Sequence, residues 1–302
     1  MHGKKKFMLP NYNNLKLTLK GKNKYLFLIN DSNNEIKQHF DDFYQNNFDS
    51  QKFKNHILLK KEILNNSEIK YFFFIIPDKS LVCHEYLPFK FNKTKRNYDK
   101  VKEIFPDFIN YLTPKDYFKY DTHINYFGGK KLSFEYLNYI NNDFKEEDFN
   151  KLIDETSDPY PIKRFFDLLL DLNWSYSDKE KNKYNSSKIV YSIKPHYLTD
   201  KAEEIPDEFK KCHERKSTYL KNTKSFSNLK VLIFGDSFTR YLKNYLILYF
   251  KEFFCYWDHG KMNKELVEWY KPDIVLEIRS ERFLEYYVYT DWISNDIHLN
   301  MD

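Results

Sequence analysis

Ser237 stands in the run Phe234-Gly235-Asp236-Ser237-Phe238-Thr239-Arg240, directly after the apolar stretch KVLIFGD at residues 230–236. That stretch predicts a buried strand, and the spacing of apolar residues over 238–250 predicts a helix behind it. In a parallel sheet the carboxyl end of a strand is where ligands gather. A serine there could attack an acyl group. The amide N–H groups at the start of the following helix, with the positive end of its dipole, could hold the resulting oxyanion. Gly235 would give the chain its freedom for a tight turn. By position alone, a helix N-cap role accounts for Ser237 better than a nucleophile does. GDSFT does not match GxSxG, so the α/β-hydrolase elbow is not supported.

A serine nucleophile needs a base. Among nine histidines, His123 has the most useful neighbour: Asp121 lies two residues before it, and Gly128 and Gly129 come shortly after. Alternate residues of an extended segment point to one side. The Asp121 carboxylate could therefore bond the near ring nitrogen, fix the tautomer and stabilise the imidazolium. The glycine pair would let the backbone turn into the next helix. His259, after Asp258, is the reserve, and His84 beside Glu85 reads as structural. No HxH or HExxH occurs, so neither a metal site nor a bound cofactor is expected.

These residues need elements to hold them. KYFFFIIP at 70–77 reads as a buried parallel strand, FFCYW at 253–257 and DIVLEI at 273–278 as two more, with helices over 238–250 and 264–270 between them. Strands alternating with helices predict an α/β fold, a parallel sheet flanked by helices. Upstream, a short strand is expected over 24–30, turn residues over 31–34, and helices within 35–65, 98–113 and 130–142. An apolar helix is expected around 165–172 and a strand over 188–193. Residues 200–228 are highly charged and read as a surface crossing. Residues 1–20 read as a loose start and 21–302 as one domain with irregular insertions.

Composition narrows the function. Net charge is +5, with lysine spread along the chain rather than gathered into a stripe, and no nucleic-acid motif is present. The three cysteines, Cys83, Cys212 and Cys255, lie far apart, which argues against a disulfide framework or a zinc knot. No apolar run reaches the ~20 residues a membrane span needs. No signal peptide is visible, so a cytoplasmic location is expected, or a periplasmic one if the start was trimmed.

Taken together, GDSF after a strand and an upstream DTH followed by glycines resemble the SGNH-hydrolase-like domain of the alginate O-acetylation proteins, the AlgX and AlgJ type. Residues 22–36 (KNKYLFLINDSNNEI), 71–88 (YFFFIIPDKSLVCHEYLP) and 271–285 (KPDIVLEIRSERFLE) are similar to stretches of that family, in the same order. Ile124 departs from it, standing where the family often has Trp. The resemblance implies an SGNH-hydrolase-like catalytic domain with a Ser237, His123 and Asp121 triad. It also implies transfer of acetyl groups to polysaccharide hydroxyls through an acyl-serine, as in capsule or exopolysaccharide modification. An esterase or an inactive glycan-binding protein of the same fold is the alternative. Partners would be a polysaccharide or oligosaccharide acceptor and an acetyl donor, either acetyl-CoA or a membrane acyl carrier protein. Asp236, Phe238, Tyr126 and Arg282 are the side chains expected at the substrate, with Arg282 either pairing an anionic sugar or bracing the site through an ion pair. Lys79, Glu277, Arg279 and Glu281 are second-tier.

Overall fold

A computed structural model describes residues 18–29, 35–39, 48–90, 96–104, 112–165, 168, 187–212, 215–257 and 262–284. The elements open with a small antiparallel pair, β1 (Thr18–Lys20) and β2 (Leu26–Leu28). Then come α1 (Ser50–Asn65), β3 (Lys70–Ile76), the short α2 (Lys79–Val82), α3 (Asn97–Ile104), α4 (Tyr126–Ile140) and α5 (Glu146–Thr156). A long hairpin is next, β4 (Ser157–Phe165) and β5 (Ser187–Pro195). After it lie β6 (Leu198–Asp200), the two-residue β7 (Lys211–Cys212) and β8 (Arg215–Lys216), and β9 (Thr218–Asn222). The last part is β10 (Lys230–Gly235), α6 (Lys243–Tyr249), β11 (Glu252–Trp257), α7 (Lys264–Tyr270) and β12 (Ile274–Ser280).

The central sheet has the order β3-β12-β10-β11-β9-β6. The first four strands run parallel, while β9 is antiparallel to β11 and β6 to β9. Period-two alternation feeds two cores. Val231, Ile233, Leu276 and Ile278 face one, with residues of α4, α5 and α6. Leu232, Phe234, Val275 and Phe73 face the other, with residues of α1 and α7. Helices on both faces bury both sides of the parallel strands, which is why those strands read as continuous apolar runs.

The segment 200–228 keeps most of its charged side chains exposed, as a surface crossing would, with 3-10 turns at Ala202–Glu204 and Asp207–Phe209. It also contains β9, which with β6 just before it extends the central sheet at its far edge. The expected strand over 188–193 is longer and pairs with β4. β4 carries Pro159 and Pro161, which tell against a strand in sequence. A two-stranded sheet has free edges that tolerate prolines, so the hairpin forms. The expectations for residues 1–17, 31–34, 40–47 and 105–111, for the apolar helix around 165–172 apart from Phe165, which ends β4, and Leu168, and for His259 lie outside the described residues, whereas Thr18–Lys20, expected as part of the loose start, pair with β2 as β1.

Glu277, on β12, is buried and belongs to the sheet. Lys60 Nζ donates to its Oε2 at 3.0 Å and the Tyr71 hydroxyl at 2.5 Å, with Arg279 Nη2 at 3.5 Å from Oε1. Burial disfavours its charge, but Lys60, Arg279 and these bonds hold the carboxyl below its usual range.

Candidate active site

β10 ends at Gly235, and the next residue, Asp236, fixes the turn beyond the strand. Its Oδ1 accepts from the Phe238 N–H at 2.9 Å, and its Oδ2 accepts from the Ser280 N–H at 2.6 Å and the Ser280 hydroxyl at 2.7 Å. Asp236 is fully buried and ties the carboxyl ends of β10 and β12 together. Its carboxylate is turned to the protein's own donors, not to the position of a substrate.

The chain then makes a 3-10 turn, Ser237–Tyr241, before α6 begins at Lys243. The single helix expected over 238–250 is thus two pieces. Side chains compete with the backbone here: the Thr239 hydroxyl donates to Asp236 O at 2.7 Å and Arg240 Nε to Ser237 O at 3.1 Å. The break matters for chemistry. The Phe238 N–H is taken by Asp236 Oδ1 and the Thr239 N–H by Asp236 O. Among the described residues the Ser237 N–H makes no such bond, so the amides expected to hold an oxyanion narrow to that one.

Asp121 and His123 lie in a tight loop. It is closed by an antiparallel bridge between Tyr117 and Ile124 and by a bond from the Phe118 N–H to His123 O at 3.1 Å. Asp121 Oδ1 accepts from the His123 N–H at 3.1 Å and lies 2.6 Å from His123 Nδ1. His123 Nε2 lies 2.7 Å from Ser237 Oγ. With Nδ1–H donating to the carboxylate, Nε2 is the ring's acceptor, and the Ser237 hydroxyl donates to it. Phe238 and Tyr241 flank the imidazole, with ring centroids 4.9 and 5.4 Å away. Lys79 Nζ holds the loop from below, donating to the carbonyls of Leu26, Lys119 and Asp121.

Asp121 is fully buried, which by itself would raise its carboxyl. The hydrogen bond and charge of His123 and the charge of Arg164 outweigh that and hold it well below the usual carboxylate range. Arg164, on β4, reaches the other oxygen: its Nη2 lies 2.9 Å from Asp121 Oδ2 and also donates to the Tyr241 hydroxyl. Sequence reasoning missed this residue. It lies 43 positions from Asp121, on a strand its own prolines disguise.

The other sequence-derived residues separate. Arg282 turns away into a buried cluster, pairing with Asp78 at 2.7 Å and Glu35 at 3.2 Å. Arg96 joins it, pairing with Glu281 and lying 3.7 Å from Asp78. Of the two roles expected for Arg282, the ion-pair brace is the one its contacts display. Burial pushes the Asp78 carboxyl well above its usual range, opposed by Arg282 and Arg96 and assisted by Glu35 and Glu281. Phe238 is buried behind His123, with the Arg282 guanidinium 5.7 Å from its ring centroid. Tyr126 packs edge-on against Phe118 and Tyr241, and burial raises its phenol. Phe127 next to it is 77% exposed, and Arg240 is half-buried beside Ser237.

A second serine–histidine pair sharpens the comparison. His39 Nε2 lies 2.8 Å from Ser80 Oγ, but both residues are buried. No acyl group could reach that hydroxyl, whereas Ser237 is half-buried and open to the surface.

The glycines serve close approach rather than turning. None of the described glycines has a positive φ, and Gly128 and Gly129 lie inside α4. A Cβ on Gly129 would sit 2.2 Å from the Tyr241 carbonyl oxygen, and one on Gly235 would sit 2.2 Å from a Thr239 methyl. The α4 backbone is thus pressed against the turn that carries Ser237. Gly129→Ala should force them apart, lowering stability by about 1–3 kcal/mol. Chemical denaturation alongside ester turnover checks this: turnover should fall too, because the Ser237–His123 distance depends on that contact.

Among the described residues no group of three His, Cys, Asp or Glu side chains could hold a metal ion, and no helix is long and apolar enough to cross a membrane.

The mostly parallel six-stranded sheet, with helices on both faces and Ser237 at the carboxyl end of β10, is an SGNH-hydrolase-like α/β fold. Solved structures share it. PatB1 of Bacillus cereus matches with a TM-score of 0.56 at 13% identity, covering 89% of this chain and 97% of that one. The O-acetyltransferase domain of Pseudomonas putida AlgJ matches with a TM-score of 0.53 at 12% identity, over 92% and 95% of the two chains. A DHHW family protein from Eubacterium siraeum DSM 15702 matches with a TM-score of 0.53 at 13% identity, over 77% and 85%. At these identities the likeness is one of fold. No protein-family model matches the chain, and no curated protein does.

Proposed function

We propose that this protein is a polysaccharide O-acetyltransferase working through an acyl-serine on Ser237. The observation that carries the reading is the unbroken hydrogen-bonded chain from Asp121 through His123 to Ser237, at 2.6 and 2.7 Å, ending on a hydroxyl that substrate can reach. The shared fold with the O-acetyltransferase domain of AlgJ supports the transferred group.

In the first half-reaction Ser237 Oγ attacks the carbonyl carbon of an acetyl ester or thioester, such as acetyl-CoA or an acylated carrier. His123 Nε2 takes the hydroxyl proton as the C–O bond forms, and Asp121 stabilises the imidazolium. The Ser237 N–H is the turn's own donor for the oxyanion. Collapse expels the alcohol or thiol, which takes the proton back from His123, leaving acetyl-Ser237. In the second half, a sugar hydroxyl gives its proton to Nε2 and attacks the acetyl carbonyl. Collapse then releases the O-acetyl sugar and returns the proton to Ser237. Water in place of the sugar gives acetate, so the same three side chains serve an esterase.

Incubation with a chromogenic acetyl ester, with and without an oligosaccharide acceptor, separates the two. Acetyl found on the sugar by mass spectrometry is the expected result. Acetate alone, whatever acceptor is present, would make the protein an esterase.

A further inference from the structure

Arg164 has an arrangement that packing alone does not require. It comes from β4 of the hairpin, outside the central sheet, yet it reaches Oδ2 of Asp121, whose Oδ1 faces His123. Its guanidinium lies 5.3 Å from the Tyr241 ring centroid and 5.9 Å from that of Phe118, and it donates to the Tyr241 hydroxyl. Two aromatic rings and a phenol thus fix the plane and position of the cation. Asp121 receives one oxygen's worth of bonds from its own loop and the other from an element 43 residues further along the chain.

We propose that Arg164 is a positioning residue that extends the Asp121–His123–Ser237 chain to four members and holds the His123 ring in line with Ser237. The inference rests on the acyl-serine reading of Ser237. Arg164 acts in two ways. A carboxylate held at both oxygens cannot rotate, so Nδ1 is kept in line and Nε2 stays aimed at Ser237. A cation on Asp121 also draws off part of the negative charge that stabilises the imidazolium. Among the described residues, charged and titratable groups approach the ring and its partners from several elements. Asp121 comes from its own loop, Arg164 from β4, and Ser237, Arg240 and Tyr241 from the turn after β10. Tyr126 comes from the start of α4, and Lys79 touches the loop only through carbonyls. Among the described residues, Arg164 is a charge that bonds the Asp121 carboxylate directly. The hairpin therefore has a use in the site: it delivers that one side chain.

The test compares wild type with Arg164→Met and Arg164→Lys. Three readouts are taken: the rate at which phenylmethanesulfonyl fluoride modifies Ser237 against pH, the titration of the His123 ring followed by NMR, and thermal unfolding. In Arg164→Met the labelling rate should fall at least about tenfold. The acid limb of its pH profile and the midpoint of the ring titration should both move to higher pH, by about half a unit or more. Arg164→Lys should recover much of both, because a cation can still reach the carboxylate. A lower melting temperature with unchanged ring titration and unchanged pH profile would overturn the proposal and leave Arg164 a structural brace. The outcomes separate the two readings. If wild type and Ser237→Ala are modified alike, the acyl-serine reading fails, while the ring titration still decides the role of Arg164. If wild type is modified at Ser237 and the Arg164 variants match it in rate and profile, only this inference fails.

Discussion

Ser237→Ala and His123→Ala should each lose acetyl-ester turnover by about 10⁴-fold or more, and the double variant should be no slower than the worse of the two. The reason for the shared loss is geometric. The Ser237 hydroxyl and His123 Nε2, 2.7 Å apart, act as one unit: without the base the hydroxyl is a poor nucleophile, and without the hydroxyl the base has no proton to take. Independent contributions would multiply instead, and a double variant slower than either by the product of the two losses would contradict a single proton-transfer unit. The substitutions are mild for the fold. Ser237 is half-buried in a turn held by Asp236 and Thr239, so its hydroxyl is not what maintains the turn. Unchanged thermal unfolding in Ser237→Ala should accompany the loss of turnover.

Asp121→Asn should cost nearly as much, about 10⁴-fold in kcat, with little change in KM. An amide at this position is neutral and cannot stabilise the imidazolium. It can also present an N–H to His123 Nδ1, turning the ring to the tautomer that faces Ser237 with a donor rather than an acceptor. The substitution leaves Arg164 facing a neutral group in a mostly buried place, so stability falls as well. The pH dependence has a definite sign. Asp121 is held well below the usual carboxylate range, so its ionised form adds stability that is fully present above about pH 4, its unfolded range. That contribution is lost as pH falls through the lower folded value. Wild type and Asp121→Asn should therefore differ most in stability near neutrality and converge in acid. Denaturation measured across pH checks it, and a gap that widens on acidification would contradict it.

The sequence carried the centre of this molecule better than its margins. KVLIFGD, DIVLEI and KYFFFII are apolar on both faces because both faces are buried, and that pattern is local. The Asp121–Thr122–His123 spacing likewise brings both functional groups together through three residues of backbone, but by a tight loop in which Asp121 Oδ1 also accepts the His123 N–H rather than by the extended segment the sequence suggested. What sequence did not carry depended on distant partners. Asp236 sits beside Ser237 in the chain, yet its oxygens turn to Ser280 and the Phe238 amide, which only the β10–β12 register explains. Arg282 lies near the end of β12, but Asp78 and Glu35 offer it buried carboxylates on another strand end and another loop. Arg164 needed β4, and β4 contains two prolines that mask it. The glycines after His123 carried a correct position and a different reason, since a carbonyl 2.2 Å from a would-be Cβ cannot be seen in one sequence.

The most direct measurement is of the covalent intermediate itself. Wild type, Ser237→Ala and His123→Ala would be mixed rapidly with a chromogenic acetyl ester, quenched in acid, digested and mapped by mass spectrometry. One acetyl group is expected on the peptide that holds Ser237, at the serine, in wild type and in neither variant. Acetylation there should decay faster when an oligosaccharide is added. Release of the chromophore by wild type with no acetyl on Ser237, or with equal release by Ser237→Ala, would contradict the acyl-serine.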